Sequence, residues 1–164
     1  MFKAIKLYFT DRPYYKQRKR YMKRQKAVRR KLRKQVNEFC PWSGYYMHEM
    51  IKTMLEFYYE TYAAGDCCWS ESARTGKIAN QLEQAVKAAK ALDELEDLES
   101  GDLLSRAQQE PGFEKWLEKW KKKTGCNFDE KPALLSGLAY EYFNQKYTKA
   151  LYNNIGKHIW DWCD

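Results

Sequence analysis

Lysine and arginine crowd the start of the chain: residues 1–38 hold fifteen of them against Asp11 and Glu38, a net charge of +13. The whole chain is +8, so the other 126 residues sum to −5. Cations at this density neutralise phosphates and release counterions, which gives affinity for nucleic acid without regard to base sequence. The candidate contacts are Arg18, Lys19, Arg20, Lys23, Arg24, Arg29, Arg30, Arg33 and Lys34, with the interleaved Tyr14, Tyr15 and Tyr21 as platforms for unpaired bases. The expected partners are therefore DNA, RNA or a ribonucleoprotein. Two other readings use the same residues: an acidic protein surface as partner, or tyrosines that dock the segment on the rest of the chain beneath a solvated basic face. Fifteen cations in 38 residues exceed what solubility requires, and polyanion binding leads for that reason.

Other groupings are weaker. Glu56, Glu60, Asp93, Glu94, Glu96 and Asp97 invite comparison with the magnesium-holding clusters of all-α nucleotide pyrophosphohydrolases. Such clusters need carboxylates converging from facing helices, yet Glu56 lies about 140–200° around the helix from Ile51 and Met54, and Glu56 and Glu60 are four apart where ExxE needs three. A solvated acidic face that pairs with the basic arm is the simpler expectation. Cys67 and Cys68 beside Trp69, or His48 with Glu49, carry no family signature of nucleophilic catalysis, and His48 and Glu49 are not HExxH because residue 52 is Lys. Five cysteines, Cys40, Cys67, Cys68, Cys126 and Cys163, have no CxxC spacing and only His48 and His158 to help, so no zinc, other metal or cofactor is expected. No glycine-rich phosphate loop is present in the sequence. The chemistry predicted is binding, not catalysis.

These residues must be positioned by helices. After Pro13, suited to a first helical turn, Tyr14, Tyr21, Val28, Leu32 and Val36 form one face of a basic helix; Pro41 and Gly44 interrupt it, with Ser43 as a cap. From Tyr45 to Ala64, Met47, Met50, Ile51, Met54, Leu55, Tyr58 and Tyr62 predict a core stripe, closed by Gly65. A third helix follows Ile78, Leu82, Ala85, Ala89, Leu92 and Leu95 and runs out near Gly101. Pro111 opens a short helix with Phe113, Trp116, Leu117 and Trp120 on one face, ending in Lys121 to Lys123 and Gly125. The last begins at Pro132, behind Asp129 and Glu130, and its stripe is Leu135, Leu138, Ala139, Tyr142, Phe143, Tyr147, Leu151, Ile155 and Ile159, with a bend expected near Asn153, Asn154 and Gly156. No strand alternation appears, so the fold class is all-α: an antiparallel bundle of about five helices, organised as a basic arm over 1–38 and a helical body over 39–164. Trp160 and Trp162 cannot both face inward; Trp162 fits the core by its seven-residue step from Ile155, leaving Trp160 for a protein interface.

At 164 residues with 44% hydrophobic content, the chain supports one compact core. It has no apolar run long enough to span a membrane and no signal-peptide pattern, and its thiols read as reduced, so the expected location is the cytoplasm.

Three stretches, FTDRPYYKQRKR (9–20), LEFYYETYAAGDCCW (55–69) and HIWDWCD (158–164), resemble a group of small helical bacteriophage proteins with a basic start and a Trp-Trp-Asp-like tail. The chain departs from that tail at Trp162 and Cys163. The resemblance implies phage or prophage origin and a helical fold and carries no known activity; from that origin, a host-cytoplasmic location and a role in counter-defence or host takeover, such as blocking the nucleic-acid site of an immune effector, are expected. It transfers no functional residue. The alternatives by class are a nucleotide-binding or nucleotide-hydrolysing all-α protein and a scaffold that binds an acidic protein.

Overall fold

The computed structural model describes residues 2–38, 40, 44–65, 72–126 and 132–163. Among them the secondary structure is helical without a strand: α1 (Phe2–Asn37), α2 (Gly44–Ala63), α3 (Ser72–Asp97), α4 (Ser100–Gln108), α5 (Phe113–Thr124) and α6 (Pro132–Cys163). The all-α class holds. Pro41 and Ser43, Cys67, Cys68 and Trp69, and Asp129 and Glu130 lie outside the described residues. The chain divides into two compact units, one of residues 1–86 with 154–164, the other of residues 87–153.

In the first unit α1 and α2 form an antiparallel pair. Gln17 donates to the carbonyl of Gly65, Arg24 to that of Glu60 (3.0 Å), and Gln35 to that of Glu49 (3.3 Å) and to Thr53 Oγ1 (3.0 Å), so positions that ascend α1 descend α2. Gly65 ends α2 at φ +63°, where only glycine is unstrained, and its N–H reaches the Tyr62 carbonyl at 3.0 Å. Arg24 meets the last turn of α2, the negative end of that helix's dipole.

The predicted core stripe of α2 is corrected. Met54 is 37% exposed and Met47 is also exposed, while Thr53, Leu55, Phe57, Thr61 and Tyr62 are buried. The reason is that α2 is covered on two sides: Thr53 and Phe57 face α1, and Leu55 and Tyr62 lie on a different side, where the Tyr62 hydroxyl donates to the Trp162 carbonyl (3.2 Å). The methionines fall on the seam between the two covered sides. In α1, Val36 and Tyr14 are exposed and Gln35 takes the inward position expected of Val36. Four-residue steps from Val28 drift around the helix, and the drift carries Val36 off the contact. The start of α1 also differs: the helix begins at Phe2, so Pro13 lies inside it, where it withholds one N–H from the ladder without ending it.

The second unit has an aromatic core. Leu95, Leu103, Ala107, Phe113, Ala139, Tyr142 and Phe143 pack together, flanked by Leu92, Leu98, Leu104, Trp116, Leu117 and Tyr147. Phe113 and Tyr142 meet edge to face at 5.3 Å, and Phe143 stacks on Tyr147 at 5.8 Å. Helix α4 is additional to the five expected: Leu103 and Ala107, four apart, bury one short face of it. The turn into α5 is tight at Gly112, where a Cβ would stand 2.9 Å from the Tyr142 hydroxyl. Gly125 closes α5 at φ +69°, with its N–H 2.9 Å from the Lys121 carbonyl. Helix α6 runs unbroken through Asn153, Asn154 and Gly156.

Candidate nucleic-acid interface

Two interleaved rows run along α1. The inner row is Gln17, Tyr21, Arg24, Val28, Lys31 and Gln35, at steps of four, three, four, three and four, and it is the row that meets α2. Besides the hydrogen bonds of Gln17, Arg24 and Gln35, Tyr21 lies tilted against Phe57 with ring centroids 6.0 Å apart, and Lys31 Nζ stands 3.9 Å from the Glu56 carboxylate. The outer row is Lys16, Lys19, Lys23, Lys26, Arg30 and Arg33, at steps of three, four, three, four and three. Every member is exposed, and none has an ion pair with a described residue. At ~1.5 Å per residue the row is about 26 Å long, on the side of α1 turned away from α2.

The sequence-predicted contacts divide accordingly. Lys19, Lys23, Arg30 and Arg33 sit in the outer row, and Arg18, Arg20 and Arg29 are exposed beside it. Lys34 is exposed and stands 3.8 Å from Glu38, a pair too solvated to neutralise it fully. Arg24 and Tyr21 belong to the inner row: the arginine is occupied by a carbonyl and the tyrosine by a ring, so both hold α1 in place and neither faces outward. Tyr14 is exposed and meets Tyr15 edge-on at 5.9 Å. Lys16 and Lys26 complete the ridge and were not singled out from the sequence; the alternating three-and-four spacing of cations was the signal.

The other candidates assemble no chemistry among the described residues. Glu56 pairs with Lys31, and Glu49 forms a 3.0 Å ion pair with Lys52 one turn on. Glu60 contributes its backbone carbonyl to Arg24. Glu94, Glu96 and Asp97 are exposed, and no group of three or more His, Cys, Asp or Glu among the described residues is arranged to hold a metal ion. Cys40 and Cys126 are exposed free thiols. Trp160 is 80% exposed and Trp162 4%, the orientation read from their spacing. No helix among the described residues is long and apolar enough to cross a membrane. No protein family, curated protein or solved structure matches the chain.

Proposed function

We propose that this is a non-catalytic binding protein that takes nucleic acid along the outer row of α1. The observation that carries the reading is the division of labour on that helix: the inner row is engaged with α2, so six cations with no ion pair among the described residues are held in line on a structured surface. An ordered cationic ridge neutralises phosphates with less ordering cost than a free arm. Exposed Trp160 is the candidate contact for a protein within such an assembly. The resemblance of the basic start, the aromatic helix and the tail to phage chains supports counter-defence or host takeover as the setting, with a nucleic-acid-handling immune complex as target.

The test is the salt dependence of duplex binding. If all six ridge cations contact phosphates, the logarithm of the binding constant should fall against log salt with a slope of about −5, and changing Lys19, Lys23, Arg30 and Arg33 to Gln should flatten it to about −2. A flat profile for the unmodified protein, or no binding to DNA or RNA at ~50 mM salt, would sink the reading.

A further inference from the structure

Of the three tyrosines interleaved with the α1 cations, one stands among them on the side turned away from α2. Tyr21 lies against Phe57, in the inner row. Tyr14, seven residues before it, falls about 20° from Tyr21 around the helix, in line with the same row. Tyr15 falls on the other side. It begins a line of Tyr15, Lys19, Met22, Lys26, Arg29 and Arg33, at steps of four, three, four, three and four, so each residue is one turn from the next. Tyr15 is 59% exposed and Met22 52%, and both are open to a ligand in the midst of the ridge. Among the described residues the ring contact of Tyr15 is with Tyr14, edge-on at 5.9 Å, which steadies the ring and leaves it mostly uncovered.

We propose that the α1 ridge prefers a single strand, with phosphates on Lys19, Lys26 and the cations flanking them, an unpaired base stacked on the Tyr15 ring and a second base against Met22. The proposal rests on the nucleic-acid reading of the same helix and adds the class of strand. Cations take the phosphates of a duplex and of a single strand alike, so the preference has to come from the uncharged residues among them. A ring exposed one turn from a lysine can stack on a base whose phosphate that lysine holds, whereas a duplex has its base faces covered by their neighbours. Tyr15 and Met22 are two turns apart, about 10.5 Å along the axis, so they serve separate bases. A lipid surface would use the same cations but needs a continuous apolar face to enter it, and beyond Met22 this line continues as Lys26, Arg29 and Arg33.

The experiment is anisotropy titration of the full chain with labelled oligothymidylate, an abasic strand of equal length and a duplex, across a salt series. The unmodified protein should bind oligothymidylate about tenfold more tightly than the abasic strand, a comparison that needs no variant. Tyr15→Ala should lower oligothymidylate affinity about tenfold and leave the abasic strand, the duplex and all three salt slopes as they were; Tyr15→Phe, which keeps the ring, should bind as the parent does. Met22→Ser should cost oligothymidylate about threefold, because a thioether touches a base without stacking on it. Equal binding of oligothymidylate and the abasic strand, or an unchanged affinity in Tyr15→Ala, overturns the single-strand preference and leaves the ridge reading standing so long as the duplex slope is steep. If instead the Gln variant of the outer row binds all three ligands normally while Tyr15→Ala loses oligothymidylate, the ridge reading fails and the stacking contact stands. Absence of binding to every strand by the unmodified protein overturns both.

Discussion

Helices α1 and α5 are both cationic, and they are seated in opposite ways. The contacts that seat helix α1 on α2 include glutamine and arginine side chains reaching carbonyls, the Lys31–Glu56 ion pair and the tilted Tyr21–Phe57 rings. Helix α5 is anchored by Phe113 in an aromatic core, with Trp116 and Leu117 packed against it. A hydrogen bond contributes about 1 kcal/mol net, because water competes for both partners, whereas a buried aromatic ring contributes several. Cationic composition therefore says nothing of attachment: α1 is held by directional contacts that set register, and α5 by area.

Removing one ring from each seat separates the two kinds of attachment. Phe113→Ala should destabilise the protein by roughly 3–5 kcal/mol, as deletion of a buried aromatic does. Tyr21 is half-buried, and Tyr21→Ala should cost about 1–2 kcal/mol, near the middle of the range for single substitutions. Denaturant unfolding of both variants gives the order directly. A larger loss for Tyr21→Ala would show that α1 and not α5 carries the apolar anchor.

The same contrast explains how far the fold and the site could be read from the residues. Helices α2, α5 and α6 announce themselves by apolar periodicity, and Gly65 and Gly125 both take the left-handed conformation that their place after a helix implies. The Trp160 and Trp162 orientations follow from spacing alone. Periodicity fails where a helix has two partners: α2 buries Thr53 and Phe57 on one side and Leu55 and Tyr62 on another, and a single stripe drawn through Met54 falls between them. It fails again on α1, whose inner row contains more polar residues than apolar ones, so the residue pattern does not mark Tyr21 and Arg24 as facing α2. Helix α4 is hidden because Gly101 and the surrounding acids mimic a loop, and only Leu103 and Ala107 mark its buried side.

A smaller effect sharpens the claim that the α1 seat is polar and specific. Thr53 is buried, and its hydroxyl takes the Gln35 amide; the Gln35 Oε1 on the same side chain is buried without a partner. Gln35→Met should cost about 1–2 kcal/mol by leaving Thr53 Oγ1 without its donor, and Thr53→Val about 1 kcal/mol. With both partners apolar, no donor or acceptor in this pair is left buried and unmet, so the double variant should lie within about 0.5 kcal/mol of the parent. Thermal melts of the four proteins complete the cycle. Additive losses would mean that the two side chains do not depend on each other.

The smallest effect tests whether the α5 seat has an ionic part. Lys146 Nζ lies 2.6 Å from the carboxylate of Glu110, just ahead of the turn into α5, and 5.9 Å from the ring centroids of Tyr142 and Phe143. Burial alone would lower the Lys146 pKa, but the hydrogen bond and negative charge of Glu110, with smaller contributions from Tyr142 and Tyr147, outweigh it and hold the group above its ordinary 10.5. A group raised on folding binds its proton more tightly in the folded state. Its contribution is therefore fully present below pH 10.5 and lost as pH climbs through the higher folded value. The side chain is 41% exposed, so solvent screening limits the effect to at most about 1 kcal/mol. Stability measured from pH 9 upward should fall less steeply for Lys146→Met than for the parent, and the two should differ by less than the loss at Phe113→Ala. Identical slopes would remove the ionic part and leave α5 held by its aromatic contacts alone.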